Sequence, residues 1–115
     1  MHELGIMVDV LDMALRVAEQ NGGKKVTRIT LKIGLMSGIM PEYVQSFFDV
    51  ISENTIAKGA QIIIEPDPAV FVCRKCGEET TYEALDPEYV CKACGSAALR
   101  MTSGYGFQIV NVGII

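Results

Sequence analysis

Between Leu4 and Gln20 the apolar residues Met7, Leu11, Ala14, Leu15 and Ala18 recur at three- and four-residue spacing, which predicts an amphipathic helix. Asn21-Gly22-Gly23 stops it, because glycine takes the left-handed conformation of a helix cap without a Cβ penalty. The period then shortens. In "KVTRITLKIG" Thr27, Ile29, Leu31 and Ile33 alternate with Arg28, Thr30 and Lys32, the pattern of a strand with one buried and one polar face. Pro41 sits where the first turn of a second helix begins, and Glu42 complements its positive end. Val44, Phe47, Phe48 and Ile51 form the predicted buried stripe of that helix, and Gly59 follows its end. "QIIIEP" reads as a short strand closed by Pro66 and Pro68, and "FQIVNVGII" as a last strand too hydrophobic to hang free.

Between those last two strands the pattern breaks. Residues from about Val70 to Ser103 hold all four cysteines, Tyr82 and Tyr89, and show no long apolar periodicity. They read as a separate module inserted before the final strand, which returns to the first domain. "GYG" at Gly104–Gly106 reads as a hinge into that strand, not as a phosphate cradle. No internal repeat appears beyond the two cysteine pairs.

Composition narrows the classes. With 50% hydrophobic and 21% charged residues in 115, the chain is expected to bury a real core. A net charge of −4 and a pI near 4.9 argue against a broad grip on nucleic acid, which depends on Lys and Arg neutralising phosphates. Arg74, Lys75, Lys92 and Arg100 are matched by Glu78, Glu79, Glu83, Asp86 and Glu88 in the same module. No apolar run reaches the roughly 20 residues of a membrane span. Glu3, Asp9 and Asp12 replace the basic start of a signal peptide, so a cytoplasmic location is expected.

In a reducing compartment, four cysteines point to metal before disulfide. "CRKCG" and "CKACG" set Cys73, Cys76, Cys91 and Cys94 as C-x2-C, fourteen intervening residues, then C-x2-C. Each pair can grip one face of a tetrahedral ion, and two pairs close a structural zinc site. A thioredoxin-like redox pair and an iron–sulfur cluster use the same residue type, but redox chemistry of the first kind needs a single pair at a strand–helix junction. The methionines Met7, Met13, Met36 and Met40 read as core filling before a copper(I) site.

The only histidine, His2, lies one peptide bond from the Met1 amine in "MHELG". Chance is one explanation, since termini are weakly constrained. The other is a chelate: amine, amide nitrogen and imidazole form adjacent five- and six-membered rings, a donor set suited to Ni(II) or Cu(II). No Ser–His–Asp set or phosphate loop accompanies it, which argues against an enzyme.

Taken in order, the "MHE" start, "KKVTRITLKIG", "SGIMPEYVQSFFDVI", "TIAKGAQIIIE", the paired C-x2-C motifs and "GYGFQIVNVGII" resemble the HypA/HybF family of hydrogenase maturation proteins over essentially the whole chain. The resemblance implies an α+β fold: a small mixed three-stranded sheet with two helices, residues 1–69 plus 104–115, as a nickel-binding domain, and a zinc-ribbon-like module at 70–103. It implies nickel bound by His2 with the Met1 amine and the backbone nitrogens of His2 and Glu3, and structural zinc on the four cysteines. It further implies delivery of Ni(II), with a HypB-type GTPase, to the large subunit of nickel–iron hydrogenase, and in some organisms toward the urease maturation proteins. Nucleic acid and membrane are not expected as partners. Where some members carry an acidic residue before the second helix, this chain has Met40, with Glu42 two residues later. The rival reading is a zinc-ribbon module that binds nucleic acid or another protein.

Overall fold

The computed structural model describes residues 3–115. The elements run α1 (Glu3–Gln20), β1 (Val26–Gly34), α2 (Pro41–Ile51), β2 (Gln61–Asp67), β3 (Ala69–Cys73), β4 (Glu79–Tyr82), β5 (Leu99–Ser103) and β6 (Phe107–Ile114). They form two three-stranded sheets, ordered β2-β1-β6 and β4-β3-β5. The chain divides into two compact units. The first holds residues up to Lys32, Gly38–Glu65 and Gln108–Ile115; the second holds Ile33–Ser37 and Pro66–Phe107.

In the first unit, α1 packs on α2. The α1 face that is buried consists of Ile6, Met7, Val10, Ala14 and Ala18. It is rotated from the expected stripe: Leu11 and Leu15 are only half-buried, and Ile6 and Val10 take their place. Small residues at 14 and 18 permit close approach of a neighbour, so burial follows the alanines and not the largest side chains. On α2 only Val44 and Phe48 are fully buried, and Phe47 rests half-exposed with its ring 6.4 Å from that of Tyr43.

Strand β1 is the centre of its sheet. Its start meets the end of β6: Lys24 N–H donates to the Ile115 carbonyl at 2.7 Å, and Ile115 N–H donates to the Lys25 carbonyl at 3.0 Å. That pair is therefore antiparallel. Val26 N–H donates to Ile56 just ahead of β2, and Leu35 N–H donates to Asp67 at its end, so β1 and β2 run parallel. The sheet is mixed, with two helices beside it. Strand β1 does not alternate as simply as its sequence does. Thr27 is exposed, whereas Val26 and Thr30 are buried.

Pro66 lies inside β2, not after it. It can do so because β2 is an edge strand, where a missing N–H breaks no ladder. Farther up the same strand, the Gln45 side chain accepts a bond from Ile62 N–H at 2.8 Å and donates to the Ala60 carbonyl at 3.1 Å. One amide from α2 thus satisfies backbone groups that the ladder leaves open.

In the second unit, β3 is central and antiparallel to both neighbours. Its core is Ala69, Phe71 and Tyr82, with Leu35, Tyr89, Leu99 and Met101 packed against it. Gly104 lies so close to the Ala69 backbone, at φ +97°, that any Cβ there would collide with it. The segment expected to act as a hinge is thus a tight backbone crossing.

Two substitutions separate packing from polarity on α2. Phe48→Ala removes a side chain with no exposed surface and is expected to cost about 3–5 kcal/mol in urea unfolding. Ser52→Ala, at the end of the same helix, removes a buried hydroxyl that has no hydrogen-bond partner, so stability should hold or rise.

Candidate metal centre

The second unit presents four cysteines from two matching turns. Cys73 ends β3, and the chain reverses so that Gly77 N–H donates to the Cys73 carbonyl at 3.0 Å, while Cys73 N–H donates to Glu78 at 2.9 Å. Eighteen residues on the geometry repeats: Gly95 N–H donates to Cys91 at 2.7 Å, and Cys91 N–H donates to Ser96 at 2.8 Å. Gly77 and Gly95 adopt φ +81° and +78°, which explains the glycine after each pair. A β-carbon at either position would resist the turn that points backbone N–H groups at sulfur. The Lys75 and Cys76 amides do so, each 3.4 Å from Cys73 Sγ.

The two turns face each other. Cys73 Sγ lies 3.6 Å from Cys94 Sγ, and Cys76 Sγ lies 3.5 Å from Cys91 Sγ. All four sulfurs fall within 4.8 Å of one another. These separations are too long for disulfides, whose S–S bond is about 2.05 Å. They suit a tetrahedron: sulfurs about 2.3 Å from a central zinc stand about 3.8 Å apart. Cys73 and Cys91 are buried, while Cys76 and Cys94 reach the surface.

Sulfur acidity divides accordingly. The Cys76 amide, followed by that of Lys75, holds the Cys73 pKa down to about 6 against the opposing effect of burial. The Cys94 and Ala93 amides lower Cys91 in the same way, Cys94 first. At Cys76 the Glu78 amide pulls downward, but the Cys91 side chain, burial, and the Cys73 and Cys94 side chains outweigh it and push the pKa up to about 12. Amide bonds thus favour the thiolate at Cys73 and Cys91, whereas the surroundings of Cys76 favour the thiol. Loading therefore releases protons, and acid opposes it. With soft donors on all four vertices, an ion held there would have no position left open for substrate.

An aromatic brace, announced by no local motif, supports the second turn. Tyr82 and Tyr89 rings stand 4.9 Å apart, edge to face, and Phe71 completes the cluster. The Tyr82 hydroxyl donates to the Val90 carbonyl at 3.0 Å and accepts from Val90 N–H at 3.2 Å, one residue before Cys91. Lys92, one residue after it, lies 4.6 Å over the Tyr82 ring. Alternating polar residues around two tyrosines were the only available hint.

Of the other expected ligands, Met1 and His2 lie outside the described residues. Glu3 opens α1, and its carboxylate accepts the Met40 N–H at 2.8 Å. Met40 is the N-cap of α2, with no side-chain cap bond there. A carboxylate 37 residues away thus supplies the acceptor, the role that a glutamate in the first turn plays in a capping box. Glu42 lies exposed in the first turn of α2.

The family model described as "Hydrogenase/urease nickel incorporation, metallochaperone, hypA" matches residues 1–114. The chain belongs to the HypA family. Its relatives include "Hydrogenase maturation factor HypA" of Caldanaerobacter subterraneus subsp. tengcongensis, 38% identical over 113 residues and covering 97% of each chain. The protein of the same name in Nostoc sp. is 39% identical over 112 residues, covering 97% of this chain and 94% of its own. Among solved structures, the solution structure of the Ni metallochaperone HypA from Helicobacter pylori superposes with a TM-score of 0.70 at 23% identity, over 100% of this chain and 98% of the other. The HypA family comprises metallochaperones and not enzymes, and the α+β fold expected from the sequence is the one observed.

Because the module has only a small core, Cys73→Ser is expected to release bound metal and collapse the amide dispersion of residues 70–103 in heteronuclear NMR spectra. Resonances of Gly38–Glu65, which belong to the other unit, should keep theirs.

Proposed function

We propose that this HypA-family chain carries Ni(II) at its N-terminus, with His2 as the principal ligand and the Met1 amine and the backbone nitrogens of His2 and Glu3 as further donors. Zinc on Cys73, Cys76, Cys91 and Cys94 is structural and folds the module at 70–103, while the remainder forms the nickel domain. The acceptor is the large subunit of nickel–iron hydrogenase, served together with a HypB-type GTPase in the cytoplasm. The urease maturation proteins are a second destination where the cell makes urease.

The observation that carries this reading is the family match, which begins at the first residue and spans nickel incorporation by name. Donor chemistry supports it. Among the described residues the soft sulfurs are grouped in one set, and the chain's single histidine, His2, supplies a nitrogen donor of a different kind. Thiolates favour zinc, whereas amine, deprotonated amide and imidazole favour the tetragonal preference of Ni(II). The Glu3–Met40 bond anchors the start of α1 to the start of α2, so the last backbone donor sits on fixed structure. A carrier must also let go, and micromolar binding, about −8 kcal/mol, allows transfer to a tighter acceptor.

His2→Ala tests the assignment. It is expected to abolish stoichiometric nickel binding in calorimetric titration while leaving zinc content and the melting temperature unchanged. In the wild-type chain, protons compete with metal at each nitrogen. Affinity should therefore fall as pH drops through about 8 and then about 6.5, the ordinary values of the terminal amine and imidazole. A variant that still binds one nickel with the original affinity and spectrum overturns the reading.

A further inference from the structure

Bonds of the polypeptide itself hold the two cysteine turns face to face. Arg74 N–H, in the first turn, donates to the Ala98 carbonyl beyond the second at 2.8 Å. Lys92 N–H, in the second turn, donates at 3.1 Å to Thr80 Oγ1 on β4, the strand that follows the first turn. From the same strand the Tyr82 hydroxyl holds Val90, next to Cys91. These straps fix which sulfurs meet. Cys73 Sγ faces Cys94 Sγ at 3.6 Å, and Cys76 Sγ faces Cys91 Sγ at 3.5 Å. Both contacts cross from one turn to the other, and each joins a buried sulfur to an exposed one. Within its own turn, Cys73 Sγ is instead engaged by the Lys75 and Cys76 amides.

We propose that these facing pairs are oxidation sites, which hydrogen peroxide converts into two cross-turn disulfides, Cys73–Cys94 and Cys76–Cys91. The exposed sulfurs, Cys76 and Cys94, meet the oxidant first. The thiolate attacks peroxide: an S–O bond forms, the O–O bond breaks, and hydroxide leaves. The thiol of the buried partner then attacks that sulfur. An S–S bond forms, the S–O bond breaks, and the hydroxyl departs as water with the thiol proton. Each pair of cysteines is oxidised by two electrons, and one peroxide is reduced. Closing the gap to an S–S bond of about 2.05 Å moves each sulfur by less than about 1 Å. The joined residues stand 21 and 15 apart in the chain, against three within a C-x2-C. Cross-turn links therefore restrict the unfolded module far more than links inside one turn. Oxidation removes the metal ligands yet keeps the two turns together, and a dithiol restores the four thiols by exchange. The change is a reversible seal.

Peroxide titration of the full zinc-loaded chain, followed by tryptic mass spectrometry without reduction, tests the proposal. Two equivalents of peroxide should consume all four thiols and release the zinc to a chromophoric chelator. Trypsin cuts after Lys58, Arg74, Lys75, Lys92 and Arg100. Cys73 then lies on peptide 59–74, Cys76 and Cys91 on 76–92, and Cys94 on 93–100. The proposed pairing gives 76–92 closed by an internal disulfide, and 59–74 linked to 93–100. Either other pairing ties all three peptides into one product. The oxidised, metal-free chain should also keep the amide dispersion of residues 70–103 in heteronuclear NMR spectra, and a dithiol with zinc should return the starting spectrum. A three-peptide product, links between chains, sulfinic acids in place of disulfides, or thiols that survive excess peroxide would each overturn the proposal. So would loss of the 70–103 dispersion in the oxidised chain.

Discussion

Four sulfurs drawn within 4.8 Å of one another are the constraint on which the second unit depends. Backbone amides hold Cys73 down to about 6, while burial and the neighbouring sulfurs, Cys91 first, push Cys76 up to about 12 against the pull of the Glu78 amide. Only a cation at their centre lets all four ionise together. The rest of the module serves this meeting: two glycines permit the turns, amides aim at sulfur, and the Tyr82 hydroxyl holds Val90 beside Cys91. Phe71, Tyr82 and Tyr89 make a small core. Metal is thus expected to supply much of the folding free energy here.

That centre was legible in the sequence because its determinants are local. A thiolate pair needs two residues between its members, and a turn needs its glycine, so the chemistry is written into "CRKCG" and "CKACG". The two helices and strands β1, β2 and β6 were legible for the same reason, each with a period of its own, whereas the short β3, β4 and β5 of the module were not read. What could not be read was set by neighbours far along the chain. On α1, which packs against α2, Val10 is buried and Leu11 only half-buried. Thr30 is buried although the alternation of β1 puts it on the polar face. The Glu3–Met40 bond spans 37 residues, and nothing near either residue announces it.

That last contact changes how the departure at position 40 is understood. Where some members of the family carry an acidic side chain, Met40 offers none. Its backbone N–H instead engages the carboxylate of Glu3, so the start of α1 is fastened to the cap of α2 without a second acid. Position 40 engages Glu3 through its backbone, a role that side-chain identity does not reveal.

The central claim is that two metals are sorted by donor chemistry: sulfur for zinc, nitrogen for nickel. X-ray absorption at the zinc and nickel edges of the doubly loaded chain tests it most directly. The account predicts four sulfur neighbours at about 2.3 Å around zinc and only nitrogen and oxygen neighbours around nickel. Sulfur in the first shell of nickel, or nitrogen in that of zinc, would contradict it.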